Sequence, residues 1–237
     1  MKTLMFRKAL VAPLIICGLV PATVTALPPA ISAGVENANP AGTFQITIET
    51  LHTLGRSDAP ITLLEFSDYT CRFCRLHNVQ TMPLIVDEYI RTGLVRYIVE
   101  ELPSREPTSS SFEAAHAALC AGDQGKYWEM RQALYEDSQP FKMQMLEDNA
   151  VHLGLDISDF TRCMNESRHV ELIQKTIRHA DETDIRQIPK FYLGATAQDH
   201  PNVLDVRAVV TGAKSFEVFR QTIDAVLTSV GETAAPK

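Results

Sequence analysis

Two cysteines three positions apart, in Cys71-Arg72-Phe73-Cys74, are the side chains of this sequence best suited to do chemistry. An apolar run ends just before them and a helical pattern begins at them. At a helix start the unpaired backbone N–H groups favour an anionic sulfur, so the first thiol is set up to ionise. A thiolate there is both a nucleophile and a good leaving group, and the pair can close into a small disulfide ring. The same spacing also serves as half of a zinc site, which needs two more ligands. Only Cys120 and Cys163, or scattered histidines such as His116, His152 and His179, could supply them, and there is no second close pair. His77, three residues after Cys74, is expected to be exposed rather than a ligand. The cysteines therefore favour redox chemistry, with no metal.

Those thiols need a strand before them and a helix after them, and both patterns are present. Ile61-Thr-Leu-Leu-Glu-Phe66 is short and nearly all apolar, as a strand buried on both faces should be. Glu65 interrupts it on the same side as Leu63, which makes it either a buried carboxyl that could move protons for a thiol or a strand-end carboxylate reaching solvent. From Cys71 the apolar positions Phe73, Leu76, Val79, Met82, Ile85, Tyr89 and Ile90 keep a helical rhythm that ends at Gly93, with a kink expected at Pro83. Leu94–Val99 reads as a strand, so a parallel strand-helix-strand crossover is expected. Asp68 reads as a turn or cap residue.

Elsewhere, Phe44–Leu51 alternates like an edge strand, while 105–184 holds only helical patterns, the first opened by a capping box of Ser110 and Glu113. Tyr127 and Trp128 are read as core packing in the second. Strands return at Phe191–Leu193 and Val203–Val210, and a helix over Ser215–Val230 closes the chain. The division expected is a signal peptide over 1–26, a flexible leader over 27–43, one domain from 44–104 and 185–232, and a helical insertion over 105–184.

The signal peptide is read from Lys2, Arg7 and Lys8 ahead of the apolar run Ala9–Val20, with small residues for cleavage near Ala26. A retained anchor and a lipoprotein box at Leu14-Ile15-Ile16-Cys17 are the weaker readings, since the run is short for a span and Ile16 is bulky. Cleavage removes those three basic residues and takes the formal charge from −7 to −10, which disfavours nucleic acid as a partner. It also removes Cys17 and leaves four cysteines in an oxidising compartment, the periplasm. One close pair and one distant pair suggest a catalytic disulfide and a structural one, Cys120–Cys163, the other option being two buried free thiols. Closing that loop contributes roughly 4 kcal/mol at most in the chain-entropy model.

This order of elements, with Cys-x-x-Cys opening the helix after a central strand, resembles the thioredoxin fold, an α/β fold with a mixed central sheet flanked by helices. It is closer still to the DsbA-like family of exported thiol-disulfide oxidoreductases, over roughly Phe44–Val230. The resemblance rests on Glu65-Phe-Ser-Asp-Tyr-Thr-Cys71-Arg-Phe-Cys74, on Ala118-Leu-Cys120-Ala-Gly-Asp-Gln-Gly-Lys-Tyr-Trp128, on Ile188-Pro189-Lys-Phe-Tyr-Leu-Gly194, and on the all-helical insertion between the halves. It implies that Cys71 attacks, that Cys74 resolves the mixed disulfide and that Glu65 assists proton transfer at Cys74. It further implies that Ile188 and Pro189 form a cis-proline loop along which substrate lies.

Arg72-Phe73 departs from the family's Pro-His. A charge on Arg72 beside Cys71 would favour the thiolate, while Phe73 offers neither charge nor hydrogen bond, so a milder oxidant is expected. The family implies reduced or misfolded secreted proteins as substrates and a quinone-linked membrane oxidase resembling DsbB as partner; no cofactor is expected, and with no heptad or amphipathic pattern in Leu27–Thr43 a monomer is expected. An isomerase or reductase of the same fold, or a non-enzymatic peptide-binding holdase, are the alternatives.

Overall fold

The computed structural model describes residues 35–37, 44–49, 52–137, 140–197 and 200–234, all within one unit that begins at Ser32. The expected signal peptide and most of the expected leader lie outside the described residues. Within that leader stretch, Val35–Asn37 forms strand β1. Three residues are too few to show an alternation in sequence, and a neighbouring strand supplies the pairing.

The sheet is built around β4 (Ile61–Ser67), with β5 (Val95–Glu101) parallel on one side and β6 (Lys190–Ala197) antiparallel on the other. Next to β6 runs β7 (His200–Thr211), whose outer edge pairs with β1 at Ala208–Val210 and with β2 (Gln45–Thr47) at Val203–Asp205. At the far margin β3 (Thr53–Leu54), which has no sequence signal of its own, pairs with β5. Gly194 lets β6 and β7 meet at an irregularity in their register. A Cβ there would fall 1.9 Å from the Asp205 carbonyl oxygen.

Side-chain parity in the two central strands positions the site. In β4, Ile61 and Leu63 join the larger apolar cluster while Leu64 and Phe66 join the smaller one behind the sheet. Glu65 and Ser67 thus share the face of Leu63. In β5, Val95, Tyr97 and Val99 face the same large cluster and Ile98 the other, which puts Glu101 on the face of Tyr97. The parallel register sets Glu65 beside Val99 and Ser67 beside Glu101.

The crossover from β4 to β5 is not one kinked helix. It consists of α1 (Arg72–Leu76), a π turn at His77–Thr81, α2 (Met82–Ile85) and a second π turn at Val86–Ile90. Pro83 stands in the first turn of α2, just after the wide turn, where a missing N–H is tolerated. Each π turn adds a residue to the helical repeat and rotates the next stretch of helix about its axis. Phe73, Leu76 and Val79 of the apolar rhythm are exposed, while Met82, Ile85, Tyr89 and Ile90 beyond the first π turn are buried, and His77, expected in solvent, is fully buried. The segment ends at Gly93, whose φ of +79° suits a residue without a Cβ.

Between the strand groups come α3 (Ser110–Gly122), α4 (Tyr127–Glu136), α5 (Met143–His152), α6 (Ile157–Asn165) and α7 (Val170–Glu182). The cap of α3 is Ser109, not Ser110, with its hydroxyl accepting from the Phe112 N–H at 3.2 Å. Three serines in a row leave that choice open in sequence, and Ser111 is drawn instead to Asp68. After β7, α8 (Phe216–Ala234) places Phe219, Ile223 and Val226 in the large cluster.

Candidate active site

Cys71 is the N-cap of α1. Its extended backbone (φ −77°, ψ 114°) turns the sulfur back over the first turn, where Sγ accepts from the Cys74 N–H at 3.4 Å. Hydrogen bonding from the Cys74 thiol, helped by the N–H groups of Cys74 and Phe73, pulls the Cys71 thiol down to about 6 despite its partial burial. Cys74 lies one turn inward with no exposure, and burial pushes its thiol far above the ordinary range. The two are present as thiols. One sulfur is thus stable as an anion at the surface of the helix start, and the other is stable only with a proton.

The loop before β6 approaches from the opposite side. Its Ile188–Pro189 bond is cis, and the Cys71 thiol points at the Ile188 carbonyl oxygen at 3.8 Å. Pro189 is buried and its own carbonyl accepts from the Gly212 N–H at 2.8 Å, which holds the loop against the end of β7. Asp68 forms the turn into the helix, accepting from the Thr70 N–H and from the Ser111 hydroxyl.

Arg72 stacks on its own neighbour. Its guanidinium lies over the Phe73 ring at 4.5 Å, and both side chains are exposed. An adjacent aromatic face is a favourable partner for the cation. The donors that favour the Cys71 thiolate belong instead to Cys74 and Phe73.

Glu65 is fully buried, which removes the solvent-reaching alternative. Oε1 accepts from the Ser67 hydroxyl at 2.6 Å and lies 3.5 Å from the Asn78 amide, which also donates to the Cys74 carbonyl at 3.0 Å. Oε2 accepts from the Tyr97 hydroxyl and from Arg131 Nη2, the latter at 3.2 Å. Arg131 comes from α4 and is itself 3% exposed, so the carboxyl beside the thiol pair finds its cation in the helical insertion. Sequence reasoning missed this residue. Its signal is the i, i+4, i+8 spacing of Tyr127, Arg131 and Tyr135, which places an arginine on the buried face between two tyrosines. A cleft of about 530 Å³, lined by Asn78, Tyr97, Arg131 and Tyr135 among others, opens onto this group.

His77 packs between the Phe191 and Phe219 rings, with centroids at 4.4 and 4.9 Å. Burial pushes it down to about 4, so it is neutral. Tyr127 and Trp128 pack edge to face at 4.9 Å, and the Tyr127 hydroxyl also donates to Glu101.

Cys120 and Cys163 are bonded to one another, with Cα atoms 5.9 Å apart and both side chains buried. His116 is not isolated as the sequence suggested. It lies by this disulfide and 6.2 Å from the His169 ring, because α3 and the turn after α6 meet there. Among the described residues the only groupings of potential metal donors are here, His116 with both cysteines and Asp123 with Cys163 and His169, and none includes Cys71 or Cys74.

These features agree with what the chain is similar to. A family model described as thioredoxin matches residues 47–225. A Na(+)/H(+) antiporter NhaA 1 of Salinispora arenicola is 28% identical over 163 residues, which make up 68% of this chain. The chain spans about a quarter (24%) of the length of such antiporters. The probable disulfide bond formation protein D of Bacillus anthracis is 26% identical over 159 residues, 64% of this chain and 73% of that protein. Among solved structures, alpha-DsbA1 of Wolbachia pipientis matches with a TM-score of 0.68 at 23% identity, covering 77% of this chain and 94% of its own. BdbD from Bacillus subtilis matches with a TM-score of 0.63 at 22% identity, covering 78% and 97%. The match to the family model spans most of the sequence and brackets both the thiol pair and the cis-proline loop, and the chain belongs to the thioredoxin family, with the fold of the DsbA proteins.

Proposed function

We propose that this protein is an exported thiol-disulfide oxidoreductase that donates the Cys71–Cys74 disulfide to reduced secreted proteins in the periplasm. The observation that carries this reading is the polarity of the pair, a thiolate favoured at Cys71 and disfavoured at Cys74. A substrate thiolate attacks Cys71 Sγ and forms a mixed disulfide, while Cys74 leaves as a thiolate and takes up a proton. A second substrate thiolate then attacks its own partner sulfur, the Cys71 thiolate departs, and the substrate has lost two electrons to the chain. Stabilising the Cys71 thiolate stabilises the reduced chain and makes the disulfide oxidising.

Glu65 is suited to hand a proton to Cys74, with Asn78 bridging the carboxyl and the helix. Ile188 and Pro189 are suited to line an extended substrate beside Cys71. A quinone-linked membrane oxidase resembling DsbB would restore the disulfide, and the protein would act as a monomer. The name of the probable disulfide bond formation protein D supports the same chemistry. The antiporter name is not carried over, since the match covers a small part of those proteins and, among the described residues, no helix is long and apolar enough to cross a membrane.

The test is oxidative refolding of a reduced, disulfide-containing secreted protein. The oxidised chain should accelerate it and Cys71→Ser should not, and equal rates for the two would sink the proposal. Trapping thiols in cells then separates an oxidase, recovered as the disulfide, from an isomerase or reductase, recovered as the dithiol.

A further inference from the structure

Glu65 is not the only carboxyl buried against Arg131. Glu101 ends β5 two register positions along from Glu65, on the same face of the sheet, and is 4% exposed. Its Oε1 accepts from the Tyr69 and Tyr127 hydroxyls, each at 2.6 Å, and lies 3.9 Å from Arg131 Nη1. Its Oε2 is buried and has no hydrogen-bond partner among the described residues, and neither has Arg131 Nη1. One guanidinium therefore stands between two carboxyls, with Nη2 on Glu65 and Nη1 turned to Glu101.

Among the described residues the surroundings supply no second cation. Facing Glu65 are Tyr97 from β5, Cys74 and His77 from the crossover, and Arg131 and Tyr135 from α4. Facing Glu101 are Tyr69 from the loop after β4, Tyr127 and Arg131 from α4, and Glu65 across the sheet. Helices α3 and α7 set Leu119, Leu172, Ile173 and Thr176 beside Glu100 and Glu101, and Glu100 is taken up by Thr176 and the Glu49 N–H. Burial holds the four tyrosines neutral and His77 uncharged. Two carboxylates and one guanidinium would leave a buried negative charge without a partner, a costly arrangement that a single added proton removes.

We propose that Glu65 and Glu101 form a coupled pair sharing Arg131 and one proton, so that Glu101 is a positioning residue governing how readily Glu65 gives a proton to Cys74. Burial raises the Glu101 carboxyl, so that it competes with Glu65 for that proton. Its Oε2 is the free oxygen to carry it. When Glu65 protonates the departing Cys74, the pair has given up its one proton, both carboxyls are ionised around Arg131, and a proton from solvent then restores the pair. While the proton is on Glu65, the ionised Glu101 draws Arg131 away and makes Glu65 hold that proton more firmly.

The consequence at Cys74 rests on the redox reading above, but the coupling can be tested without it. The oxidised protein, labelled with ¹³C at glutamate Cδ, is titrated by NMR as wild type, Glu101→Gln and Glu65→Gln. With Gln at 101 the Glu65 carbon should change at a pH lower by about half a unit or more, because the guanidinium is then its alone, and Glu65→Gln should lower the Glu101 midpoint likewise. Midpoints that do not fall when the neighbour is replaced overturn the proposal. A purely structural role for Glu101, holding the Tyr69 and Tyr127 hydroxyls, would lower thermal stability and leave the Glu65 midpoint in place. If Glu101→Gln fails to fold, the Glu65→Gln titration decides alone. Should the carboxyls prove coupled while the protein oxidises no thiol at any pH, the functional reading falls and this inference stands.

Discussion

The two cysteine pairs of this molecule sit at opposite ends of helices. Cys71 precedes the first turn of α1, where unpaired N–H groups and the positive end of the helix dipole meet the sulfur. Cys120 and Cys163 sit in the last turns of α3 and α6, where N–H groups are already bonded and the dipole end is negative. The first pair is half-open to solvent through Cys71, and the second is buried on both sides. Position along a helix thus separates a pair poised to exchange from a pair suited to staple α3 to α6.

The strongest way to break this contrast is to compare how fast the two disulfides open. In a native dithiol solution Cys71–Cys74 should be reduced on the order of a thousandfold faster than Cys120–Cys163. Comparable rates, followed by alkylation and mass spectrometry, would erase the distinction. A second measurement sharpens it: in the reduced protein, thiolate absorbance should rise with a midpoint near pH 6 from Cys71, with none from Cys74 at neutral pH. Since the fold lowers this thiol from an ordinary 9.0, its contribution to reduced-state stability is complete above pH 9 and is lost as pH falls through about 6. Urea unfolding of the reduced chain at several pH values reads that trend, and a reduced form that gained stability on acidification over this window would contradict it.

Removing the buried staple tests the other half. Cys120→Ala with Cys163→Ala should cost up to about 4 kcal/mol in urea unfolding, with the rate of thiol exchange at Cys71 changed less than about twofold. A large loss of exchange with little loss of stability would mean that the roles are reversed. The smallest expected effect tests whether the exchanging pair leans on the insertion at all. Arg131→Met should destabilise the oxidised protein by about 3 kcal/mol, because it leaves Glu65 and Glu101 buried without a cation. Unchanged stability would show that the insertion is a passive cover.

Much of this was legible in the sequence, because the signals were local. The apolar run of β4, the helical start at Cys71 and the Ile188-Pro189 loop are each contained in a few adjacent residues. The sequence sets Arg72 beside the thiolate, and the structure lays its guanidinium over the Phe73 ring. The errors have physical causes. The apolar rhythm from Phe73 to Ile90 assumes a uniform helical period, which the π turns break, and His77, expected exposed for want of further metal ligands, is buried between two phenylalanine rings. β1 and β3 are too short to announce themselves and exist because β7 and β5 offer free edges.

The sequence by itself determined that a reactive thiol pair opens a helix behind a buried strand carrying a carboxyl. Those features follow from the spacing of neighbouring residues. Only the tertiary structure decided which groups surround that carboxyl, because Tyr97, Arg131 and Glu101 reach it by sheet register and by the docking of α4, across separations of 32, 66 and 36 positions. Electrostatics inside a protein depends on distance in space, and no local pattern encodes that distance.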